Sequence, residues 1–217
     1  MKWPKTLTIE DARKAQNFLS RKVQLSPLKK EPRYIAGVDA AFSDDQVFAA
    51  ACLYLFPELA LIERQFAVQK LLFPYVPGFL SFREGPAIMT ALEKLAQKPD
   101  LLLVDGQGIA HPRGVGIASH LGVLLNLPAI GCAKSRLVGE HNDPGIKRGR
   151  WSRLIYGGRA VGAVVRTKDG VRPLFVSPGH RVNTDDAIRL TIACSGKHRI
   201  PEPLRCADML SRKMKKI

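Results

Sequence analysis

Three apolar runs follow one another with almost nothing between them, and this restricts the fold more than any other feature of the chain. Residues 34–42, 47–56 and 61–68 are rich in small, branched and aromatic side chains. Asp44-Asp45 separates the first two runs and Pro57-Glu58 the second two, connections short enough to require antiparallel neighbours. A three-stranded meander is expected. The pattern then changes: Ala87, Ile88, Ala91, Leu92, Leu95 and Ala96 recur at helical spacing, in a helix expected to reach about Lys98. Residues 101–104 read as a short, fully apolar strand, 114–125 as a helix and 129–133 as another buried strand. Strand, helix, strand of this size implies a parallel pair with a right-handed crossover. The expected class is α/β, a mixed sheet of meander plus crossover with flanking helices.

Outside that core, residues 8–24 read as a helix with Thr8 as N-cap and Ala12, Ala15, Leu19 and Val23 on its apolar face. After Lys134 the sequence loosens into a polar, glycine-rich stretch, 139–149. A hairpin pairing 160–166 with 173–176 and a helix at 184–194 are expected beyond it. Without a repeat or low-complexity linker, residues 1–217 are read as one domain with a basic C-terminal tail.

Charge gives the first indication of a partner. Lys and Arg number 34 against 19 acids, a net charge of +15, which points to a polyanion. The excess is clustered at Lys29, Lys30 and Arg33, at Lys147, Arg148, Arg150 and Arg153 around Trp151, at Lys197 and Arg199, and at Arg212, Lys213, Lys215 and Lys216. An aromatic among cations suits a strand with exposed bases. Cys52, Cys132, Cys194 and Cys206 lack CxxC spacing and read as reduced core residues rather than zinc ligands or disulfides. The longest apolar run is about half a bilayer crossing, and residues 1–7 have no signal-peptide character. A cytoplasmic protein is expected.

The chemistry is sought at strand ends. Asp39 interrupts the apolar run Ala36-Gly37-Val38-Asp39-Ala40-Ala41, where an unpaired carboxylate is costly. Gly37 and Ala41 share its face and leave room around it. The alternative is a strand-end Asp forming a turn. Asp105 closes the strand 101–104, the edge at which open α/β sheets bind ligands, although it could instead cap the next helix. If the two strands are neighbours, both carboxylates fall within reach of one cation, and hard oxygen donors favour Mg²⁺, with Mn²⁺ as substitute, over zinc. Glu84 fits either a capping box from Ser81 or, if Gly85 is the cap and Pro86 the first helical residue, a free third carboxylate.

Lys134 follows the strand 129–133 and should emerge beside Asp105, placed to neutralise phosphate charge. His111 is a further polar candidate. His180 is read as ending a turn before a helix, able to shuttle a proton at the same edge. In Pro74-Tyr75-Val76-Pro77-Gly78-Phe79-Leu80, two prolines stiffen a loop that presents Tyr75, a shape suited to entering a base stack; a packed turn is the plainer reading.

Five stretches taken together resemble the bacterial endonuclease V family. They are Ile35-Ala36-Gly37-Val38-Asp39; Pro74-Tyr75-Val76-Pro77-Gly78 with Ser81-Phe82-Arg83-Glu84; Leu103-Val104-Asp105-Gly106-Gln107-Gly108 with His111-Pro112-Arg113; Gly131-Cys132-Ala133-Lys134; and Ser177-Pro178-Gly179-His180. The resemblance implies a ribonuclease H-like fold and a DNA repair endonuclease acting on deoxyinosine. It implies hydrolysis of the second phosphodiester bond 3′ to the lesion, leaving 3′-hydroxyl and 5′-phosphate ends. Asp39, Asp105 and Glu84 would hold magnesium, with Lys134 and His180 assisting. Tyr75 would be the wedge, and Pro77, Gly78, Leu80, Gly106, Gly108, His111 and Gly116 would surround the extruded base. DNA containing deoxyinosine is the implied partner, with no membrane and no obligate protein partner. Competing readings are a nuclease of the same fold acting on inosine-containing RNA, hybrids or branched DNA, and a basic nucleic-acid-binding protein without catalysis.

Overall fold

The computed structural model describes residue 3 and residues 8–216; the segment 1–7, read as lacking signal character, lies mostly outside them. Among these residues, eight strands form one sheet in the order β3-β2-β1-β4-β5-β8-β7-β6. β1 (Tyr34–Phe42), β2 (Gln46–Leu55) and β3 (Ala60–Lys70) are the meander. β4 (Leu101–Val104) lies parallel to β1, and β5 (Ala129–Ala133) parallel to β4. β8 (Leu174–His180), β7 (Arg159–Val165) and β6 (Trp151–Tyr156) complete the sheet with antiparallel pairs.

The period of two along the central strands divides the core into two layers. Ala36, Val38, Leu102 and Val104 pack under α2 (Leu80–Glu93) and α3 (Ile117–Leu125). Ile35, Leu101 and Leu103 face the opposite layer, formed by α4 (Thr184–Cys194) and α5 (Glu202–Met214). α1 (Ile9–Ser20) has the expected Thr8 cap, in a reciprocal capping box with Asp11, and sets Leu19 against Val115 and Leu124.

Four expectations need correction. α2 begins at Leu80 without a side-chain cap and contains Pro86, so Glu84 sits inside the helix rather than before it, and the helix ends at Glu93 rather than near Lys98. β6 is an additional strand; only Leu154 of its six residues is buried, so no hydrophobic alternation announces it. Its signal is Gly157-Gly158, both at positive φ, making the tight turn into β7. Residues 202–214, read as part of a basic tail, are helix α5, with Leu204, Ala207 and Ser211 buried against the sheet. Ser177–His180 is strand, not turn.

Gly37 explains how α5 comes so close. A Cβ on Gly37 would lie 2.1 Å from the Pro203 carbonyl carbon, so only glycine in β1 lets the first turn of α5 rest on the strand backbone. The room that the small residues leave beside Asp39 is filled by this helix.

Candidate active site

Parallel pairing of β1 with β4 matches Val38 to Val104, which brings Asp39 and Asp105 out side by side; the Asp105 amide donates to the Val38 carbonyl at 3.2 Å. α5 adds Asp208 from the other layer. Asp39, Asp105 and Asp208 each offer a carboxylate oxygen within 4.8 Å of the others, the one such acidic group among the described residues. Three hard oxygen donors with no His or Cys suit Mg²⁺ or Mn²⁺. Asp208 was missed because its segment was read as part of a basic tail. Its signal was present: it lies on the same face as Leu204, Ala207 and Ser211, an acid within the buried stripe of an amphipathic helix.

Cations hold this cluster together. Lys134, just past β5, contacts Asp105 and reaches Asp208 Oδ1 at 3.4 Å. Arg212, one turn beyond Asp208, donates to it from Nε at 3.1 Å and from Nη2 at 2.9 Å. Burial, then the charge of Asp105, pushes the Asp39 carboxyl up to about 8. Burial also raises Asp105, against the pull of Lys134. Glu84, 6% exposed on α2, is raised well above the usual carboxylate range by burial and then by Asp39 and Asp105. It is set back from the three aspartates rather than grouped with them.

These shifts have a consequence for stability. A carboxyl raised in the native state costs stability from its unfolded pKa near 4 up to its folded value, because the unfolded chain ionises first. For Asp39 that window is about pH 4 to about 8. In metal-free protein, Asp39→Asn should therefore match wild type near pH 4 and melt higher at pH 8. Melting curves across this range check it; a difference independent of pH would mean that the Asp39 carboxyl is not raised by burial and its acidic neighbour.

A cavity of about 400 Å³ adjoins the cluster, lined by Asp39, Glu84, Asp105 and Lys134 and also by Tyr75, Pro77, Gly78, Leu80, Gly106, His111 and Gly116. Gly106, at φ +155, has no room for a Cβ, which would meet Ile117 Cγ2 at 2.5 Å. Gly108 does not line this space. It faces β8, where its amide donates to Ser177 Oγ at 2.7 Å.

The Tyr75 loop is fixed at both ends. Arg83 Nη1 donates to the Phe73 carbonyl at 3.1 Å. The Gly78 carbonyl accepts from Gln16 Nε2 at 2.9 Å, Arg113 Nη2 at 2.8 Å and His111 Nε2 at 2.9 Å. His111 Nδ1 accepts from the Arg113 amide, which assigns the proton to Nε2, and burial pushes its pKa down to about 4, so it stays neutral. Phe73, Phe79 and Phe82 pack beneath the loop, leaving Tyr75 71% exposed on a rigid base.

His180 is not brought to this site. β8 runs antiparallel to β5 and pairs His180 with Ala129, the first residue of β5, whereas Lys134 follows the last. Five residues of strand separate the two ends, roughly 16 Å. His180 is buried, its pKa lowered by burial and then by Arg181, and its Nδ1 accepts from the Gln24 amide at 3.2 Å. Within that motif it is Ser177 and Pro178 that support the cavity, by backing the loop 106–109.

A family model described as Endonuclease V matches residues 17–209. The chain belongs to the endonuclease V family. An endonuclease V from Geotalea uraniireducens is 47% identical over 208 residues, 96% of this chain and 89% of the relative. A structure of endonuclease V from Streptomyces avermitilis superposes with a TM-score of 0.93 at 44% identity, covering 99% of this chain and 95% of that one. Endonuclease V of Ciona intestinalis, solved in complex with a 24mer DNA containing an inosine followed by a ribo-adenosine, gives 0.86 at 29% identity, covering 96% and 98%. The sheet and its helices are the ribonuclease H-like fold of endonuclease V structures. Among the described residues no helix is long and apolar enough to cross a membrane.

Proposed function

We propose that this chain is a magnesium-dependent endonuclease that recognises deoxyinosine in DNA and hydrolyses the second phosphodiester bond on its 3′ side, leaving a 3′-hydroxyl and a 5′-phosphate. The observation that carries the reading is the junction of the three-aspartate cluster with a glycine-walled cavity beside a stiff, tyrosine-tipped loop. Family membership and the inosine-containing DNA bound by the Ciona relative support it.

Tyr75 enters the stack and fills the gap left by the lesion, which is cheaper to extrude than a well-paired base. Backbone at Gly78, Leu80, Gly106 and Gly116 approaches the flat base closely, with His111 fixing the Gly78 peptide. Asp39, Asp105 and Asp208 would hold the divalent cation. When bound, that cation supplies Lewis-acid stabilisation of the phosphate and makes the attacking water more acidic. Lys134 sets an ammonium against the charge developing on the phosphate. Glu84, whose carboxyl is raised above the usual range by burial and then by Asp39 and Asp105, lines the same cavity from α2, set behind the three aspartates. The excess of Lys and Arg supplies a grip on phosphates that weakens steeply with salt. We place the enzyme in the cytoplasm, where its four free thiols stay reduced.

The test is a nicking assay on duplex DNA with a single deoxyinosine, with the cut mapped to the nucleotide. Magnesium-dependent cleavage at the second bond is expected. No cleavage, or equal cleavage of undamaged DNA, would refute the reading. In the same assay Tyr75→Ala should reduce selectivity for deoxyinosine over adenosine about ten-fold, the scale of one lost base–aromatic stack. Selectivity equal to wild type would leave the loop without a role in recognition.

A further inference from the structure

A second depression meets the first at Asp39 and Lys134 but opens on the opposite side of the sheet. Its walls are Ala40, Ala41 and α5, which contributes Asp208, Arg212, Lys215 and Lys216. The cavity assigned to the extruded base has walls from α2 and α3 and none from α5. A nucleic-acid strand whose base enters the first and whose phosphate meets the aspartates would continue into the second.

We propose that the C-terminal end of α5 is a track for backbone phosphates on the 3′ side of the scissile bond, held by Lys215 and Lys216 and entered past Arg212. The inference rests on the proposed cut position, since a bond cut 3′ to the lesion leaves only the 3′ flank to run away from the base cavity. Charge complementarity supports it: both lysines are exposed, and neither has an ion-pair partner among the described residues. Attraction to the negative end of the helix dipole favours cations in any last turn, yet Lys213 in that turn does not line the depression whereas Lys215 and Lys216 do. From Asp208 to Lys215 the helix rises roughly 10 Å, the axial rise of about three nucleotides of one duplex strand.

The experiment compares wild type with Lys215→Ala/Lys216→Ala, whose equal melting temperatures establish an intact fold. Affinity is measured with metal chelated, so that no strand is cut, on three deoxyinosine duplexes. One has long flanks, one a lesion strand ending at the nucleotide just past the cut, and one a lesion strand shortened on the 5′ side. The variant should bind the full duplex about ten-fold more weakly, with the log–log salt slope reduced by about 1.4 to 1.8, as for two lost phosphate contacts. The gap should persist on the 5′-shortened duplex and vanish on the 3′-shortened one. Any other pattern, including no gap or one that survives 3′ shortening, overturns the proposal. Mapping the wild-type cut on the full duplex in magnesium separates this result from a failure of the cut-site reading.

Discussion

Asp105→Asn should lower deoxyinosine-directed nicking by more than about 10³-fold while leaving DNA affinity at or above the wild-type level. The carboxylate is one of three that converge, and its charge is already balanced by contact with Lys134. Removing it weakens the hold on the cation and leaves the Lys134 ammonium without its nearest counter-charge. Loss of one preorganised electrostatic group in a reacting site costs about 10² to 10³ in rate, and here two are disturbed. DNA binding depends on cations elsewhere and loses one repulsive charge, so it should hold or improve. The measurement is single-turnover nicking together with equilibrium binding. Wild-type-like cutting by this variant would remove Asp105 from the catalytic account, and loss of binding in parallel would turn the effect into one of recognition.

Gly37→Val should have the largest effect on stability, about 3 kcal/mol or more, although Gly37 touches no substrate. Its Cβ would meet the backbone of Pro203 and Leu204 at 2.1–2.6 Å, and backbone cannot rotate away as a side chain can. Either β1 bends or α5 lifts. Overpacking a tight site typically costs about 1–3 kcal/mol, and lifting α5 would also expose Leu204 and Ala207. Because α5 carries Asp208, nicking should fall along with the unfolding free energy. Denaturant unfolding beside activity at low temperature checks both. A stable, active variant would mean that α5 does not need its close seat on β1.

Legibility in the sequence followed the physics of each element. β4 and β5 fall on the expected residues because their apolar runs are fully buried, and β1 and α4 because turn or capping residues bound them. Asp39 and Asp105 were readable because a carboxylate that interrupts or closes an apolar strand is conspicuous. Asp208 was not, because its helix is amphipathic and rich in Lys and Arg, and composition masked the buried stripe. His180 was misplaced for a different reason: its position depends on the direction in which β8 pairs with β5, which a local motif does not encode. Arg148 was counted with the cationic cluster around Trp151, yet its guanidinium donates to the Gly196 and Ile192 carbonyls and ties the loop before β6 to α4. Charge counting locates an electrostatic field but does not say which members of a cluster are engaged in the fold.

The most direct test of the central claim is equilibrium binding of Mn²⁺, followed by electron paramagnetic resonance, to wild type and to Asp39→Asn, Asp105→Asn and Asp208→Asn. Saturable binding to wild type is expected, weakened at least about ten-fold in each variant while the fold remains intact. Binding unchanged in all three would contradict it.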